Sequence, residues 1–394
     1  MTYALIGSYT ESGNGSGAGV SRVLLGPDGL LASVDAVGAG LRNPSFLAVD
    51  PLNADVLYAV EELDDGALAE LDASTLALRR RTPTSGAHPC HVAVVGSGAD
   101  AGAGRTVWAA NYSSGSVAVL PADGAWAGNA LDGSATSAGA PVLLANPGIG
   151  PVADRQEQSH AHQSVPTPWG TVLVADLGAD RVDEYSAAAP HMLLGSATLP
   201  PGAGPRHLVL LGDVLLVAGE LDARLHIFSR DGGAAGESGA DKAPGQSRPA
   251  PCVWHWQYSV ALFDDTHPAF DAAADRYPSH LQASADGAVV YAAIRGRDSI
   301  AVVDVSALGN GTGNGTGDRN GNGSASAARP VLLDEVPCGG AWPRHFAVEG
   351  SKLYVANERS HTIAVFALDE AGVPGAEPLQ QFPLNSPTCI LLPN

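Results

Sequence analysis

Basic residues are scarce in this sequence: 21 Lys and Arg face 41 Asp and Glu, a formal net charge of −20. A surface field of that sign repels polyanions, so nucleic acid is not an expected partner. Four Cys lie far apart and show no paired metal spacing; they are expected as reduced, mostly buried thiols of a cytoplasmic protein. No apolar run reaches the roughly 20 residues that span a bilayer. The N-terminus enters a strand-like segment without a basic region and leader, so neither membrane attachment nor secretion is expected. Sustained helical periodicity is missing, and so is a Gly-x-Ser-x-Gly nucleophile elbow.

What is present is a repeat. Short apolar strands open at Asn43-Pro44-Ser45-Phe46, His88-Pro89-Cys90-His91, His160-Ala161-His162, Gly204-Pro205-Arg206-His207, Tyr277-Pro278-Ser279-His280, Trp342-Pro343-Arg344-His345 and Ser386-Pro387-Thr388-Cys389. The starts are about 44 residues apart, or that distance plus an insertion, which is the period of a four-stranded propeller blade. About 12 residues on comes a second β-rich run, as in Thr106 to Ala110 or Lys352 to Ala356, and then a third after a turn, as in Gly115 to Val119. Tyr3 to Tyr9 and Gly19 to Leu24 read as second and third strands with no first, and Thr388 to Leu392 supplies it. The expected fold is all-β: a seven-bladed β-propeller of four-stranded antiparallel blades, residues 1–394 as one domain, closed by pairing of the terminal strands. Residues 121–150, 229–275 and 306–330 lengthen the period and read as flexible or irregular insertions; Trp254, His255, Trp256, Tyr258 and Phe263 anchor the middle one.

Antiparallel neighbours place the start of each first strand and the end of each second strand at one edge of the ring. His91, His162, His207, His280 and His345 then share a register around one mouth, with Glu61, Asn111, Asp176, Glu220, Arg295 and Asn357 outside them. A residue type repeated in every blade commonly ties strands together, so the exceptions are the better site candidates. The third copy alone has two His, with His160 the one out of register; the fourth and sixth alone carry Arg206 and Arg344; the fifth alone has Arg295.

These motifs resemble the seven-bladed lactonase propeller family, which includes bacterial 6-phosphogluconolactonases of the cycloisomerase-like type and a carboxymuconate cyclase. The matching pieces run from Ile6-Gly7-Ser8-Tyr9-Thr10 through Asn43 to Val49, Pro89-Cys90-His91-Val92, Ala110-Asn111-Tyr112, Arg155-Gln156 before His160-Ala161-His162, Asp176-Leu177-Gly178, Gly204 to His207, Glu220-Leu221 and Asp298-Ser299-Ile300 to Pro343-Arg344-His345-Phe346. Where the family usually shows Asn-Arg after the fifth blade's second strand, this chain has Ile294-Arg295. The resemblance implies a catalytic set of His160 or His162 with Arg206, Glu220 and Arg295. His91, Asn111, Arg155, Asp176, His207, Arg344 and His345 are expected to bind substrate.

The implied reaction is hydrolysis of a sugar lactone, of the 6-phosphogluconolactone type, without cofactor or metal. A base, His160, His162 or Glu220 through a water, activates water, and Arg206 and Arg295 hold the oxyanion or a substrate anion. Three other readings stand beside it: a non-catalytic ligand-binding propeller, a muconate-type lactonising cycloisomerase, and a divalent-cation site on Glu61, Asn111, Asp176, Glu220 and Asn357. The substrate is the one expected partner, and a monomer is favoured.

Overall fold

A computed structural model of the chain describes residues 2–13, 15–96, 104–122, 140–231, 253–308 and 329–393. The strands form seven four-stranded antiparallel sheets. The inner strands of blades one to six are Pro44–Asp50, Pro89–Val95, Ala161–Pro166, Pro205–Leu211, Arg276–Ala283 and Pro343–Glu349. Each begins at or beside a motif of the sequence repeat. In the seventh blade Pro387–Leu391 is innermost and pairs with Tyr3–Ser8, with Leu5 opposite Leu391 and Ile6 opposite Ile390. The ring is closed through the two termini, as the unpaired segments at both ends predict.

Burial lies between blades rather than in one centre. Each pair of adjacent blades encloses its own apolar cluster, such as Leu5, Leu47, Leu57 and Ala59 where the seventh meets the first, or Phe346, Tyr291, Val302 and Val355 between the fifth and sixth. Strands buried on both faces read as continuous apolar runs, which is why Val-Leu-Tyr-Ala-Val at residues 56–60 shows so little alternation. The chain enters most inner strands through a left-handed corner: Asn43, His88, Gly204, Trp342 and Ser386 all have φ between 46° and 62°. That corner turns the chain from the rim of one blade into the channel wall of the next.

The structure corrects the reading of two insertions. Val142–Ala145 and Trp254–Ala261 are the outer strands of the second and fourth blades, so the period is lengthened before the outer strand, not outside the blade. Trp254 is buried and donates to Glu184 from its indole at 3.0 Å, while Phe263 lies under the Arg276 guanidinium at 4.1 Å. Most of the Gly-Asn run in 306–330 falls outside the described residues, as does Cys252; Cys90, Cys338 and Cys389 are free and buried. No helix among the described residues is long and apolar enough to cross a membrane.

Candidate active site

The site is built by an irregularity common to all seven inner strands. In each, the pairing with the second strand slips just after the Pro of the motif, or after Ala161 in the third blade, so the next residue has no opposite number. The bulged residues are Ser45, Cys90, His162, Arg206, Ser279, Arg344 and Thr388; in the fourth blade the slip also takes in His207. A bulge re-aims a side chain without breaking the sheet. Five of the seven use it to bind the neighbouring blade: Ser45 to the Pro89 carbonyl at 3.5 Å, Cys90 to that of His162 at 3.3 Å, Arg206 through Nε to that of Ser279 at 2.8 Å, Ser279 to that of Pro343 at 2.6 Å and Thr388 to that of Pro44 at 3.0 Å. His162 and Arg344 break the pattern, and Arg206 alone combines the tie with a second bond, to Glu220.

This placement corrects the expected role of His162. Ala161 stands where the other blades have Pro, paired with Asp176 as Pro89 is with Asn111. His162 therefore shares the register of Arg206 and Arg344, and Gln163, not His162, falls in line with His91, His207, His280 and His345. His160 lies before the strand, stacked on Tyr112 with ring centres 4.5 Å apart, its Nδ1 donating to the Tyr112 carbonyl at 3.0 Å and its Nε2 3.2 Å from Glu157.

A second one-residue correction applies to the outer ring. Glu61, Asn111, Asp176 and Asn357 pair with the opening residues of the inner strands and turn into the blades. Glu61 is held by Arg42 and Arg81, Asn111 lies 3.3 Å from the Ser116 hydroxyl, Asp176 takes the His160 amide and Arg181, and Asn357 donates to the Cys338 carbonyl. The following residues, Tyr9, Glu62, Tyr112, Glu220, Arg295 and Glu358, face the mouth. A step of one residue reverses the side of a strand to which a side chain points. Glu220 and Arg295 belong to this set, whereas Tyr9, Glu62, Tyr112 and Glu358 were not foreseen as site residues; their signal was their position, directly after the polar strand ends Glu61, Asn111 and Asn357 or, for Tyr9, after the equivalent Ser8.

Glu220 is the electrostatic centre. Arg206 binds its Oε2, Arg155 reaches Oε1 at 2.5 Å and the Arg295 Nη2 lies 2.9 Å from Oε2. Burial alone would push Glu220 up, but Arg295, Arg206 and Arg155 together hold it well below the carboxylate range. Such a carboxylate is a poor proton acceptor and a good anchor for guanidiniums. Burial and Arg206 push Arg295 down to about 9, which leaves it charged at neutral pH. His162 is only 4% exposed and stays neutral, since burial and then Arg206 pull it well below the ordinary His value. Its Nδ1 has no hydrogen-bond partner, and neither has the Nη2 of Arg295: despite its short approach to Glu220, the nitrogen is not aligned for a hydrogen bond. Buried polar atoms are normally satisfied, so two orphans at one mouth mark the place of a ligand.

One step deeper lies the imidazole layer. Phe46, His91, His207, His280 and His345 meet across the axis, with Phe46 to His91 at 4.2 Å and His280 stacked on His345 at 3.8 Å. The Nδ1 of His91 accepts from the Ser164 amide and that of His345 from the Ile390 amide, each in the next blade; Gln163 does the same for Leu208 at 2.7 Å. His207 and His280 bind each other through Nδ1 atoms 2.9 Å apart. The structure thus puts His91, His207 and His345, expected at the mouth with substrate, beneath it as ties between blades.

A family model described as lactonase, 7-bladed beta-propeller, matches residues 3–250 and 324–392. The chain belongs to that family. A 6-phosphogluconolactonase of Bacillus subtilis is 26% identical over 375 residues, covering 93% of this chain and 90% of its own. A propeller of Bacteroides uniformis, proposed to be a 6-phosphogluconolactonase, superposes with a TM-score of 0.73 at 25% identity over 99% of this chain and 98% of its own. A periplasmic gluconolactonase of Pseudomonas aeruginosa has a TM-score of 0.74 at 24% identity, with the same shares of the two chains covered, and shows the fold. In this lactonase propeller two exceptional positions of the repeat, Arg206 and Arg295, converge with Arg155 on one carboxylate.

Proposed function

We propose that the mouth hydrolyses an anionic sugar lactone of the 6-phosphogluconolactone kind, the activity carried by the names of the relatives in the Bacillus and Bacteroides comparisons. The observation that supports it most is the pair of buried, unpartnered atoms, His162 Nδ1 and Arg295 Nη2, beside the Arg206–Glu220 pair. His162 takes a proton from water as the oxygen attacks the lactone carbonyl carbon. Arg206 and Arg295 hold the oxyanion that develops. The bond from that carbon to the ring oxygen then breaks, and the proton held by His162 passes to the departing oxygen, leaving a hydroxyl and a carboxylic acid, which loses its proton to solvent. Glu220 fixes the guanidiniums and does not titrate in the cycle.

An anionic substrate also improves the base. Burial and then Arg206 depress His162, and a phosphate placed against the guanidiniums offsets the second of these and makes His162 a stronger base. The free buried thiols Cys90, Cys338 and Cys389 favour a reducing, cytoplasmic setting for this reaction. The test is hydrolysis of freshly prepared 6-phosphogluconolactone, measured above its spontaneous opening, by the wild-type protein and by Arg295→Ala. Turnover lost in the variant supports the assignment. Retention of ligand by the wild type without turnover would make this a binding propeller instead.

A further inference from the structure

The mouth has two halves of opposite chemistry. On blades three to five, three guanidiniums, Arg155, Arg206 and Arg295, surround one carboxylate, Glu220. On blades six, seven and one the ratio is reversed: two carboxylates, Glu62 and Glu358, flank one guanidinium, Arg344. Tyr9 donates its hydroxyl to Glu62 Oε2 at 2.9 Å, and Arg344 Nη2 reaches the same oxygen at 3.0 Å while stacking over the Tyr9 ring at 4.8 Å. Glu358 is left over. Its Oε2 lies 3.6 Å from Arg344, makes no hydrogen bond and is shielded from solvent. A carboxylate oxygen taken out of water without a donor is costly, and in this position, in register with Glu220 and with Arg295 of the adjacent blade, it points to a donor brought by the ligand.

Resting on the lactonase reading, we infer that the acidic half is a hydroxyl subsite and that the lactone ring lies across the mouth with a fixed orientation. In a six-membered sugar lactone with a phosphate on its exocyclic carbon, the carbonyl and the phosphate flank the ring oxygen on one edge. The remaining hydroxyls occupy the other edge. The first edge carries the charge and the oxyanion and matches Arg155, Arg206 and Arg295. The second offers only neutral donors, for which the carboxyl oxygens of Glu358 and Glu62 are acceptors. The orientation puts the carbonyl beside His162 and the phosphate on Arg155, the most exposed of the three guanidiniums. An anion turned the other way meets two carboxylates, so the acidic half also excludes the reversed pose.

The test separates ring recognition from anion recognition with two unreactive probes, glucose 6-phosphate, which keeps the hydroxyl edge and the phosphate, and inorganic phosphate, which keeps only the charge. By titration calorimetry, Glu358→Ala should weaken glucose 6-phosphate about tenfold. It should leave inorganic phosphate unchanged or tighten it, because a negative charge has left the mouth. The KM for 6-phosphogluconolactone should rise with the first of these. If both probes weaken together, if both tighten together, or if wild-type protein does not distinguish them, the hydroxyl subsite is not at Glu358. Failure of wild-type protein to turn over the lactone while the two probes respond as stated would overturn the hydrolytic reading and leave the subsite standing.

Discussion

Two layers of this channel, adjacent along the same seven strands, use the repeat in opposite ways. In the imidazole layer, His91, Gln163 and His345 accept hydrogen bonds from the backbone of the next blade. In the bulged layer just above, four blades make the comparable tie with Ser, Thr or Cys, a fifth makes it through the Arg206 Nε, and two abandon it. The departures from Ser, Thr and Cys place His162, Arg206 and Arg344 in the mouth. Where the polar atoms of a repeated position are satisfied by the protein, the position holds the ring; where they are left over, it is available to a ligand.

Acid should break the deeper layer first, and this is the largest effect expected. Burial pulls His91 and His345 down to about 3, and His207 and His280 well below the ordinary value of 6.5. The folded state therefore binds fewer protons than the unfolded chain between these values. The stability contributed by neutral imidazoles is fully present above about 6.5 and is lost as pH falls toward 3, by about 1.4 kcal/mol per unit for each His. Thermal midpoints measured from pH 7 to 4 should drop steeply below 6.5. Gln163 occupies the same register without titrating, so His345→Gln should move the acid midpoint downward; an unchanged midpoint would mean that the layer does not set acid stability.

The bulged layer is tested by His162→Leu. Removing the proposed base should lower kcat/KM for the lactone by about a thousandfold, within the range of a lost general base. Thermal stability should hold or rise, because the substitution removes an unpartnered buried nitrogen. Activity within tenfold of wild type would return His162 to the scaffold and take the base elsewhere.

Much of this was legible in the sequence. The seven openings, the apolar second strands and the shared last blade follow from period and patterning, and every inner strand begins within two residues of its motif. What was not legible was register. Counting from the His of each motif put His162 among the imidazoles, because the third copy has Ala161 in place of Pro and the bulge adds a residue that a period of two does not contain. The same one-residue error grouped Glu61 and Asn111, which turn into their blades, with Glu220 and Arg295, which do not. A bulge is made by backbone pairing, and no side-chain type in these seven copies announces it.

His345→Leu probes the same distinction from the scaffold side, with a smaller effect. The Ile390 amide loses its acceptor across the blade six to seven boundary, and an orphaned buried donor costs about 1–3 kcal/mol. Urea denaturation should record that loss, while kcat/KM stays within about threefold of wild type. A large loss of turnover at unchanged stability would place His345 with the substrate and remove the boundary between the two layers.

The smallest effect separates the two histidines of the third motif. His160→Phe keeps the aromatic stack on Tyr112 and gives up the hydrogen bond from Nδ1 to the Tyr112 carbonyl, together with the exposed Nε2 contact to Glu157. One such bond contributes about 1 kcal/mol. What reaches the site passes through Tyr112, whose hydroxyl lies 3.4 Å from Arg155, and Arg155 in turn holds Glu220. The expected change is therefore confined to the phosphate end: about a fivefold rise in KM for 6-phosphogluconolactone at nearly constant kcat. A fall in kcat approaching that of His162→Leu would mean that His160 exchanges the proton. In that case the decisive residue of the third blade would lie before its bulge, and the rule that chemistry occupies the bulged exceptions would fail at the position where it matters most.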